Sequence, residues 1–509
     1  MAKQYLLSID FGTSGIKCII FTPEGSVLSR QFTPIQYLDS EGLFGIGKEF
    51  DAPVAWQTIC QMIRRVLRNT KSHPTDILSI ATTSQRHGAV FLDKTGKVIY
   101  AGPNLDARGV FVQDSLMKSL KEACPPTGCW PPFLYSLCRL LWYKREKPEL
   151  FAKIAHVLSI SDWIVYQLTG QVTTDPTHAS NTQFMDIKTS QWSPEILEMA
   201  KLSGELLPPI KEPGTLVDCV SLEASKETRL STTSTVGVGA ADTQCALLGS
   251  AVTQTGDVGI VAGNTAPVQL VTSEPILDST YCLWTGRFLL PKKWVLEANS
   301  GTTGSVLAWF TQNMINPLCN ETQSQSDQAY LRVEKLAAEA PVGSLDTIAL
   351  LGPQIMNASE LTTVRPSLFL FPPPASPAVK PISIKEVARA LYENISYAVR
   401  INLELIQSLS KYQFEYCTVA GGMARSAFWR QMLADVTGLH VRCGKVAEAS
   451  SLGAAICAAT ATGQHKSLTE AMRNMVRLQP ELSPRDAIHK QYETYFTRWQ
   501  TLYRQSVNL

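Results

Sequence analysis

Tyr5-Leu-Leu-Ser-Ile-Asp10-Phe-Gly-Thr-Ser-Gly15-Ile-Lys-Cys-Ile-Ile-Phe21 is the stretch on which the reading of this chain turns. Two apolar, β-prone runs, Tyr5 to Ile9 and Ile16 to Phe21, flank turn material from Asp10 to Gly15, which predicts a hairpin with an unusual tip. The small residues there, Gly12, Thr13, Ser14 and Gly15, let backbone N–H groups and hydroxyls approach phosphate oxygens without side-chain obstruction. Lys17 adds a nearby cation. Asp10, at the strand end, is placed to accept from the hydration shell of a Mg2+ ion bridging nucleotide phosphates. Taken singly, the segment also reads as a simple tight hairpin. No Walker A pattern is present, and although Asp-Phe-Gly occurs in protein kinases, no His-Arg-Asp loop accompanies it.

Working outward, a second strand-turn-strand unit echoes the first: Asp257 to Ala262, then Gly263-Asn264-Thr265, then Ala266 to Val271. Two facing hairpins can grip one triphosphate from both sides, and one alone cannot. Two similar halves follow, residues 1–250 and 251–509, with Gly249 to Gly256 as the natural boundary. Around the first hairpin, the turn Thr22 to Gly25 leads into Val27 to Phe32. Helical patterning covers Val54 to Arg68, strands are expected at Ile77 to Thr83 and Gly88 to Leu92, and a mostly helical stretch runs from about Phe111 to Leu168. This alternation implies an α/β protein. Lys385 to Ser408 reads as a long amphipathic helix, its apolar row interrupted at Asn402, with interdomain packing as its expected role. Pro372 to Pro381 reads as a surface stretch.

At 509 residues the chain exceeds what one core supports, and typical domain sizes give two domains of roughly 250 residues each. Apolar residues make up 45% and charged ones 18%, an ordinary globular balance that excludes a disordered or fibrous chain. With 46 basic and 44 acidic residues, the net charge of +2 gives no reason to expect nucleic acid or an anionic membrane as partner. A small molecule is the expected partner, and a homodimer is left open. The twelve cysteines include no CxxC pair, and the closest spacing, Cys124 to Cys129, spans a Pro-Pro-Thr-Gly turn; isolated buried thiols are expected. No signal peptide and no apolar run of ~18 residues is found, so a cytoplasmic protein is expected. Asn320-Glu-Thr322 and Asn357-Ala-Ser359 match a glycosylation pattern that has no meaning without secretion.

Val236-Gly-Val-Gly-Ala-Ala-Asp242 reads as a buried strand and glycine-bearing turn that deliver a carboxylate just before the helical run from Cys245. Such a carboxylate can accept the proton of an attacking hydroxyl in phosphoryl transfer, and an Asp here can equally be a helix N-cap. Thr83-Ser-Gln85-Arg86-His87-Gly88 offers a row of hydrogen-bonding groups at a strand end, where α/β ligands usually sit. Asn104, Asp106 and Arg108 alternate, so in an extended segment they face one side and would suit a polyol. The six other histidines show no HxxxH metal spacing. Ala420-Gly421-Gly422-Met-Ala-Arg425-Ser426 follows a strand and leads into a helix to about Val436 that Gly438 stops; its glycines allow a flat base or a phosphate to approach the backbone. Ser450-Ser-Leu-Gly453-Ala-Ala455 opens another helix whose small residues point to close packing.

These segments resemble the FGGY carbohydrate kinase family, of the actin, hexokinase and Hsp70 superfold, from Tyr5 to about Gly463. Asp10 to Ser14, Gln85 to Gly88, Gly239 to Asp242, Gly263 to Thr265, Gly421-Gly422 with Trp429 to Asp435, and Glu448 to Ala455 fall in the family's order. The resemblance implies two actin-like (ribonuclease H-like) ATPase domains with a cleft between them, sugar on the N-terminal one and much of the nucleotide on the C-terminal one. It implies ATP and Mg2+ as cofactors, with Asp10 on the metal side. Thr13, Ser14 and Lys17 resemble the first phosphate site and Thr265 the second, while Gly304, Gly422 and Ser426 match nucleotide-contact positions. Arg86, His87 and Asp242 match sugar-contact positions, Asp242 being the family's base.

Two branches compete. Gln85-Arg-His-Gly88 and Phe428 to Asp435 are similar to xylulose kinases, which usually have Met where Arg86 stands, and this implies conversion of D-xylulose to xylulose 5-phosphate. Asn104 to Arg108, Ser161 to Tyr166 and Lys211 to Thr215 look more like the autoinducer-2 kinase branch, which acts on a linear polyol-ketone and typically has Glu at the position of His87. Gly352-Pro-Gln-Ile-Met356 lacks the Gly-Glu-Arg-Thr-Pro run common in sugar kinases. Gly263-Asn-Thr265 replaces the usual Gly-Thr-Ser. A chaperone-like ATPase on the same superfold is disfavoured by the absence of a peptide-binding domain, and a non-catalytic sensor of sugar and ATP is the remaining alternative.

Overall fold

The opening hairpin forms as its apolar pattern demands. Tyr5–Phe11 runs antiparallel to Gly15–Phe21 with Asp10 opposite Lys17, and the tip closes through a Gly12 N–H to Gly15 carbonyl bond of 3.0 Å. The computed structural model describes residues 4–114, 127–318, 327–360, 367–373 and 380–506. Cys124, the Asn320 to Thr322 pattern and most of the Pro-rich stretch lie outside the described residues.

The hairpin sits inside a six-stranded sheet ordered Leu216–Cys219, Thr235–Ala241, Ile77–Ser84, Tyr5–Phe11, Gly15–Phe21, Val27–Pro34. Ile77–Ser84 is parallel to Tyr5–Phe11, and Thr235–Ala241 is parallel to Ile77–Ser84. The strands buried on both faces are near-continuous apolar runs, as parallel strands covered on both sides require. A second six-stranded sheet is ordered Trp284–Arg287, Trp294–Thr302, Thr265–Thr272, Val258–Val261, Tyr416–Ala420, His440–Cys443. Here too a hairpin comes first, Val258–Val261 antiparallel to Thr265–Thr272, and later strands add in parallel. Numbered from each hairpin, five strands of both sheets follow the order 3-2-1-4-5. The echo between the two hairpins is therefore a repeat of topology, and the fold is the expected mixed α/β one with two sheets.

The chain forms two compact units, neither continuous in sequence. One comprises Met1–Thr255, Val271–Val295 and Glu448–Arg477; the other comprises Gly256–Leu270, Leu296–Ala447 and Leu478–Leu509. Helix Ala449–Ala461 joins the first unit because its residues are small enough to pack flush on Asp242–Leu248 and on the strands beneath. A Cβ at Gly453 would stand 2.0 Å from the Cys245 carbonyl oxygen, and one at Gly249 would stand 2.1 Å from the Ala449 carbonyl oxygen. Backbone meets backbone at both points.

Two sequence expectations are corrected. Within the stretch read as mostly helical, Ile154–Ser159 is a strand paired antiparallel to Ala89–Asp93. Its six residues are flanked by two separate helices, Ser136–Glu146 and Ile160–Thr169, and cross-strand pairing overrides the local pattern. The long helix, Ile384–Ser410, packs on Asp327–Glu339, Ala427–Thr437 and Asp486–Ser506, all elements of its own unit, which replaces the expected interdomain role. Asn402, the break in its apolar row, is buried and fully engaged: it donates to the carbonyls of Gln354 (2.8 Å) and Ala398 (2.7 Å) and accepts from the Met356 N–H (2.9 Å). None of the ten described cysteines is in a disulfide, and eight of them are buried.

Gly453→Ala is expected to destabilise the protein by about 1–3 kcal/mol despite alanine's better helix propensity, because the new methyl meets a backbone carbonyl. Urea unfolding midpoints of the two proteins check this.

Candidate active site

Asp10, at the end of its strand, is 3% exposed. Its Oδ2 lies 3.4 Å from Lys17 Nζ and accepts from Ser451 Oγ at 3.3 Å. Lys17 also lies 3.4 Å from Glu448 Oε2, and Arg30 lies 2.5 Å from Glu448 Oε1. The Asp10 charge raises the Lys17 ammonium's pKa, with Glu448 adding to that and burial opposing it, so Lys17 is a fixed cation beside the Gly12–Gly15 tip. Glu448 and Ser451, at the start of the late helix, carry no local signal in the sequence beyond the small residues that let the helix dock there.

The tip is tied to the polar row. Asn104 Nδ2 donates to Thr13 Oγ1 (2.9 Å), the Asn104 N–H donates to Gln85 Oε1 (2.9 Å), and Gln85 Nε2 donates to the Tyr37 hydroxyl (3.1 Å), which in turn donates to the Thr13 carbonyl (2.8 Å). Gln85 and Asn104 therefore brace Thr13. His87 adopts φ +63°, a left-handed conformation unusual for a non-glycine and concentrated at functional sites. Its ring stands edge-on to Tyr135 (4.9 Å) and Trp284 (5.7 Å). Burial first, then the positive charges of Arg86 and Arg139, holds its pKa well below the usual imidazole range, so the ring is neutral. His87 Nδ1 and Asn104 Oδ1 are both buried and have no hydrogen-bond partner. Orphaned polar atoms of this kind are what a hydroxyl-rich ligand would satisfy.

Asp106 and Arg108 leave this set. Both side chains are 0% exposed and spend themselves on one another, with Arg108 Nε 2.7 Å from Asp106 Oδ2. Arg108 also reaches Glu49 (2.7 Å) and Ser40 (2.8 Å) and stacks over Tyr100 and Trp142, while Tyr100 donates to Asp106. Alternation along the sequence placed Asn104, Asp106 and Arg108 on one face. A turn at Asn104-Leu105, closed by the Asp106 N–H to Pro103 carbonyl bond (3.2 Å), and the 3-10 turn Arg108–Phe111 after it break the extended geometry that reading needs.

Asp242 is the first residue of helix Asp242–Leu248; the cap position belongs to Ala241, so the N-cap alternative falls away. Its Oδ1 accepts from the Thr243 N–H (2.8 Å). Burial raises its pKa to about 6, against the pull of Arg86 and with the Asp10 charge adding to the rise. The strand that delivers it is bulged between Gly237 and Ala240, and a Cβ at Gly239 would stand 1.7 Å from the Thr82 carbonyl oxygen, so only glycine lets the two strands approach there.

Behind this row lies a group the sequence reading missed: Asp162, Asp175 and His178, all buried. His178 Nδ1 bonds Asp175 Oδ2 (2.5 Å), and Nε2 bonds Ser84 Oγ (3.1 Å) next to Gln85. Thr177 Oγ1 donates to Asp175 and accepts the Ala241 N–H (2.8 Å) next to Asp242. With both ring nitrogens engaged, the group is a brace linking the polar row to the Asp242 turn and has no free imidazole nitrogen for a metal. Burial alone would push the imidazolium's pKa down, but Asp175, with Asp162 and Asp242, outweighs it and holds His178 at about 9. The sequence signal was Asp175-Pro176, a capped helix start, legible as a cap but silent about its partners.

In the second unit, Gly263, Gly304 and the Gly421–Ser426 loop meet at one end of the sheet. Gly304 N–H donates to the Gly263 carbonyl (3.2 Å), the Thr303 N–H to the Asn264 carbonyl (3.0 Å) and the Met423 N–H to the Ala262 carbonyl (3.2 Å). Gly421 has φ +88° and sits where a Cβ would be 2.5 Å from the Ala262 carbonyl oxygen, whereas a Cβ at Gly422 would meet nothing within 4 Å. Gly422 thus leaves an open backbone surface. Thr265 is exposed. Ser426 is the N-cap of Ala427–Thr437, its Oγ accepting from the Trp429 N–H at 2.9 Å.

Residues 5–249 match the N-terminal domain of the FGGY family of carbohydrate kinases, and residues 258–462 match its C-terminal domain. The chain belongs to the FGGY family of carbohydrate kinases. Curated relatives include the autoinducer-2 kinase of Klebsiella pneumoniae, 30% identical with 99% of this chain and 95% of that protein covered. That of Yersinia enterocolitica is 30% identical at the same coverage. Among solved structures, ligand-bound xylulose kinase from Lactobacillus acidophilus superposes with a TM-score of 0.83 at 19% identity, covering 99% of this chain and 98% of that one. Plasmodium falciparum glycerol kinase with ADP gives 0.80 at 19% identity, covering 97% of each chain. As an FGGY kinase the protein is an ATP-dependent sugar phosphotransferase acting on a small-molecule sugar substrate. Among the described residues no helix is long and apolar enough to cross a membrane.

The charge states fix a sign for pH dependence. His178 is held up at about 9 from an ordinary 6.5, so its ionic stabilisation is complete below 6.5 and is lost as pH rises to about 9. Asp242, also raised, moves stability in the same direction over a lower window, its ionisation penalty growing as pH climbs from 3.8 to about 6. The loss of unfolding free energy in His178→Gln, measured by urea denaturation, should therefore be largest near pH 6 and shrink toward pH 9.5; a loss that grows with pH would contradict a charged His178.

Proposed function

We propose that this FGGY kinase transfers the ATP γ-phosphate to a hydroxyl of a short open-chain ketose of the xylulose type, with Asp242 as the base. The observation that carries the reading is Asp242 itself. It is a carboxylate at a helix start, poised near neutrality, facing the charge of Arg86, and next to a polar row holding two buried unpartnered atoms. Asp242 takes the proton of the attacking hydroxyl as its oxygen bonds to the γ-phosphorus, the bridging P–O bond breaks, and ADP leaves. His87, neutral and locked between two aromatic rings, orients a sugar hydroxyl through Nδ1, and Asn104 Oδ1 accepts from another. Gln85 acts by holding Asn104 and Thr13 in place.

Thr13, Ser14 and Lys17 are assigned to the phosphates. Thr265, Gly304, Gly422 and Ser426 are assigned to the nucleotide, Gly422 offering its bare backbone and Ser426 its position, since its hydroxyl caps a helix. The halves 1–250 and 251–509 are assigned to sugar and nucleotide respectively. Mg2+ fits Asp10: a hard carboxylate oxygen is present, Oδ1 is not among the atoms bonded by Lys17 or Ser451, and Mg2+ needs only one or two carboxylates besides water and phosphate. When bound, it would neutralise charge developing on the phosphate oxygens. A cytoplasmic location is an assignment of the same kind.

A second reading, a linear polyol-ketone of the autoinducer-2 type, is favoured by the 30% identity to kinases of that name. Phosphorylation assays across xylulose, ribulose, glycerol and the linear autoinducer precursor separate the two. Turnover of none would leave the sensor alternative.

Asp242→Asn should lower kcat by about 100-fold or more while the ATP Kd stays within a few fold. In the wild type, kcat/KM should fall below about pH 6 as Asp242 becomes protonated. Unchanged turnover in Asp242→Asn would remove it from the mechanism.

A further inference from the structure

A second cavity opens on the first unit, apart from Asp10 and Asp242. It has a volume of about 770 Å³ and is lined by Arg287, Lys292, Glu212 and Trp192 among rigid prolines that include Pro176 and Pro291. Arg287 is the unusual member. It is 4% exposed, and its buried Nε has no hydrogen-bond partner. Its guanidinium carbon lies 4.5 Å from the centre of the Trp294 ring, whose indole N–H is fixed on the Ile187 carbonyl (2.6 Å).

Arginine does not shed its proton, so this is a buried positive charge in want of an acceptor, a costly arrangement unless something pairs with it. Burial lowers the Arg287 pKa, and the Glu212 charge only partly offsets this; no Glu212 oxygen forms an ion pair with it. Lys292 adds a second cation at the rim, held at φ +54°. Two cations against one carboxylate, a planar fork of donors and apolar walls describe a receptor for a small anion.

We propose that this cavity binds the phosphate or carboxylate group of a small molecule, with Arg287 as the fork that grips it. Its position gives it a route to the sugar site. Trp192, Leu207 and Pro208 also wall a void of about 10 Å³ that touches His87, His178 and Asp162, and Pro176 follows Asp175 directly. An anion that shifts Trp192 therefore changes the packing behind the polar row.

The test is calorimetric titration of the full chain, held in saturating ADP to fill its nucleotide site. Inorganic phosphate, methyl phosphate and malonate are titrated, with malonamide as the uncharged control. This needs no turnover and stands or falls apart from the kinase assignment. The charged probes should bind and malonamide should not; stronger binding of methyl phosphate or of malonate identifies a phosphate ester or a carboxylate as the natural group. Arg287→Gln should weaken binding by about tenfold or more, the worth of one charge-assisted hydrogen bond, with the kcat for the sugar unchanged in the absence of anion. If Arg287→Gln does not fold, Lys292→Ala at the exposed rim should weaken binding a few fold. Heats indistinguishable from those of malonamide, or full affinity in the variant that folds, would overturn the proposal.

Discussion

Backbone-to-backbone contact between helix Ala449–Ala461 and helix Asp242–Leu248 is the constraint on which the candidate active site rests. It exists because Gly453 and Gly249 present no side chain where the Cys245 and Ala449 carbonyls pass. Docked this closely, the late helix brings Glu448 to Lys17 and Ser451 to Asp10, although these residues are more than four hundred positions apart in the chain. The same contact covers the helix that begins with Asp242. Packing and chemistry are thus set by one geometric fact. A side chain at either glycine would disturb Asp242 and the Ser451 contact to Asp10 together.

The charges of the first unit divide into working and structural sets by their hydrogen bonding. Asp106 and Arg108 are saturated by each other and by aromatic stacking, so they stabilise the segment that carries Asn104 without offering atoms to a ligand. Asp175 and His178 are likewise saturated, yet their outer bonds end on Ser84 and, through Thr177, on Ala241, one residue short of the polar row and of Asp242. In the polar row, His87 Nδ1 and Asn104 Oδ1 are buried without a hydrogen-bond partner. There, satisfaction of polar atoms distinguishes saturated braces from atoms still open to a ligand better than residue type does.

Much of the fold was legible in the sequence. Each hairpin declares itself by apolar runs around a small-residue tip, and their repetition forecasts two related sheets. The order of motifs then identified the family. The strand Ile154–Ser159 was not legible, because a six-residue segment between helical patterns is too short to show a period of its own and becomes a strand only when Ala89–Asp93 is there to pair with it. The long helix was read correctly as a helix, but its partners were not, since amphipathicity gives a face and not the neighbour that covers it.

Of the candidate site, the sequence by itself singled out Asp10, the Gly12–Gly15 tip, the Gln85–His87 row and Asp242, because each depends on a local pattern of strand, glycine and polar residue. Only the tertiary structure decided that Asp106 and Arg108 belong to the core, that Asp175 and His178 brace the row, that Glu448 and Ser451 reach the hairpin, and that the Nε of Arg287 stands buried without a hydrogen-bond partner. Burial and pairing depend on what distant segments bring to the same place. Turn chemistry acts over a few residues, and desolvation and charge act through space.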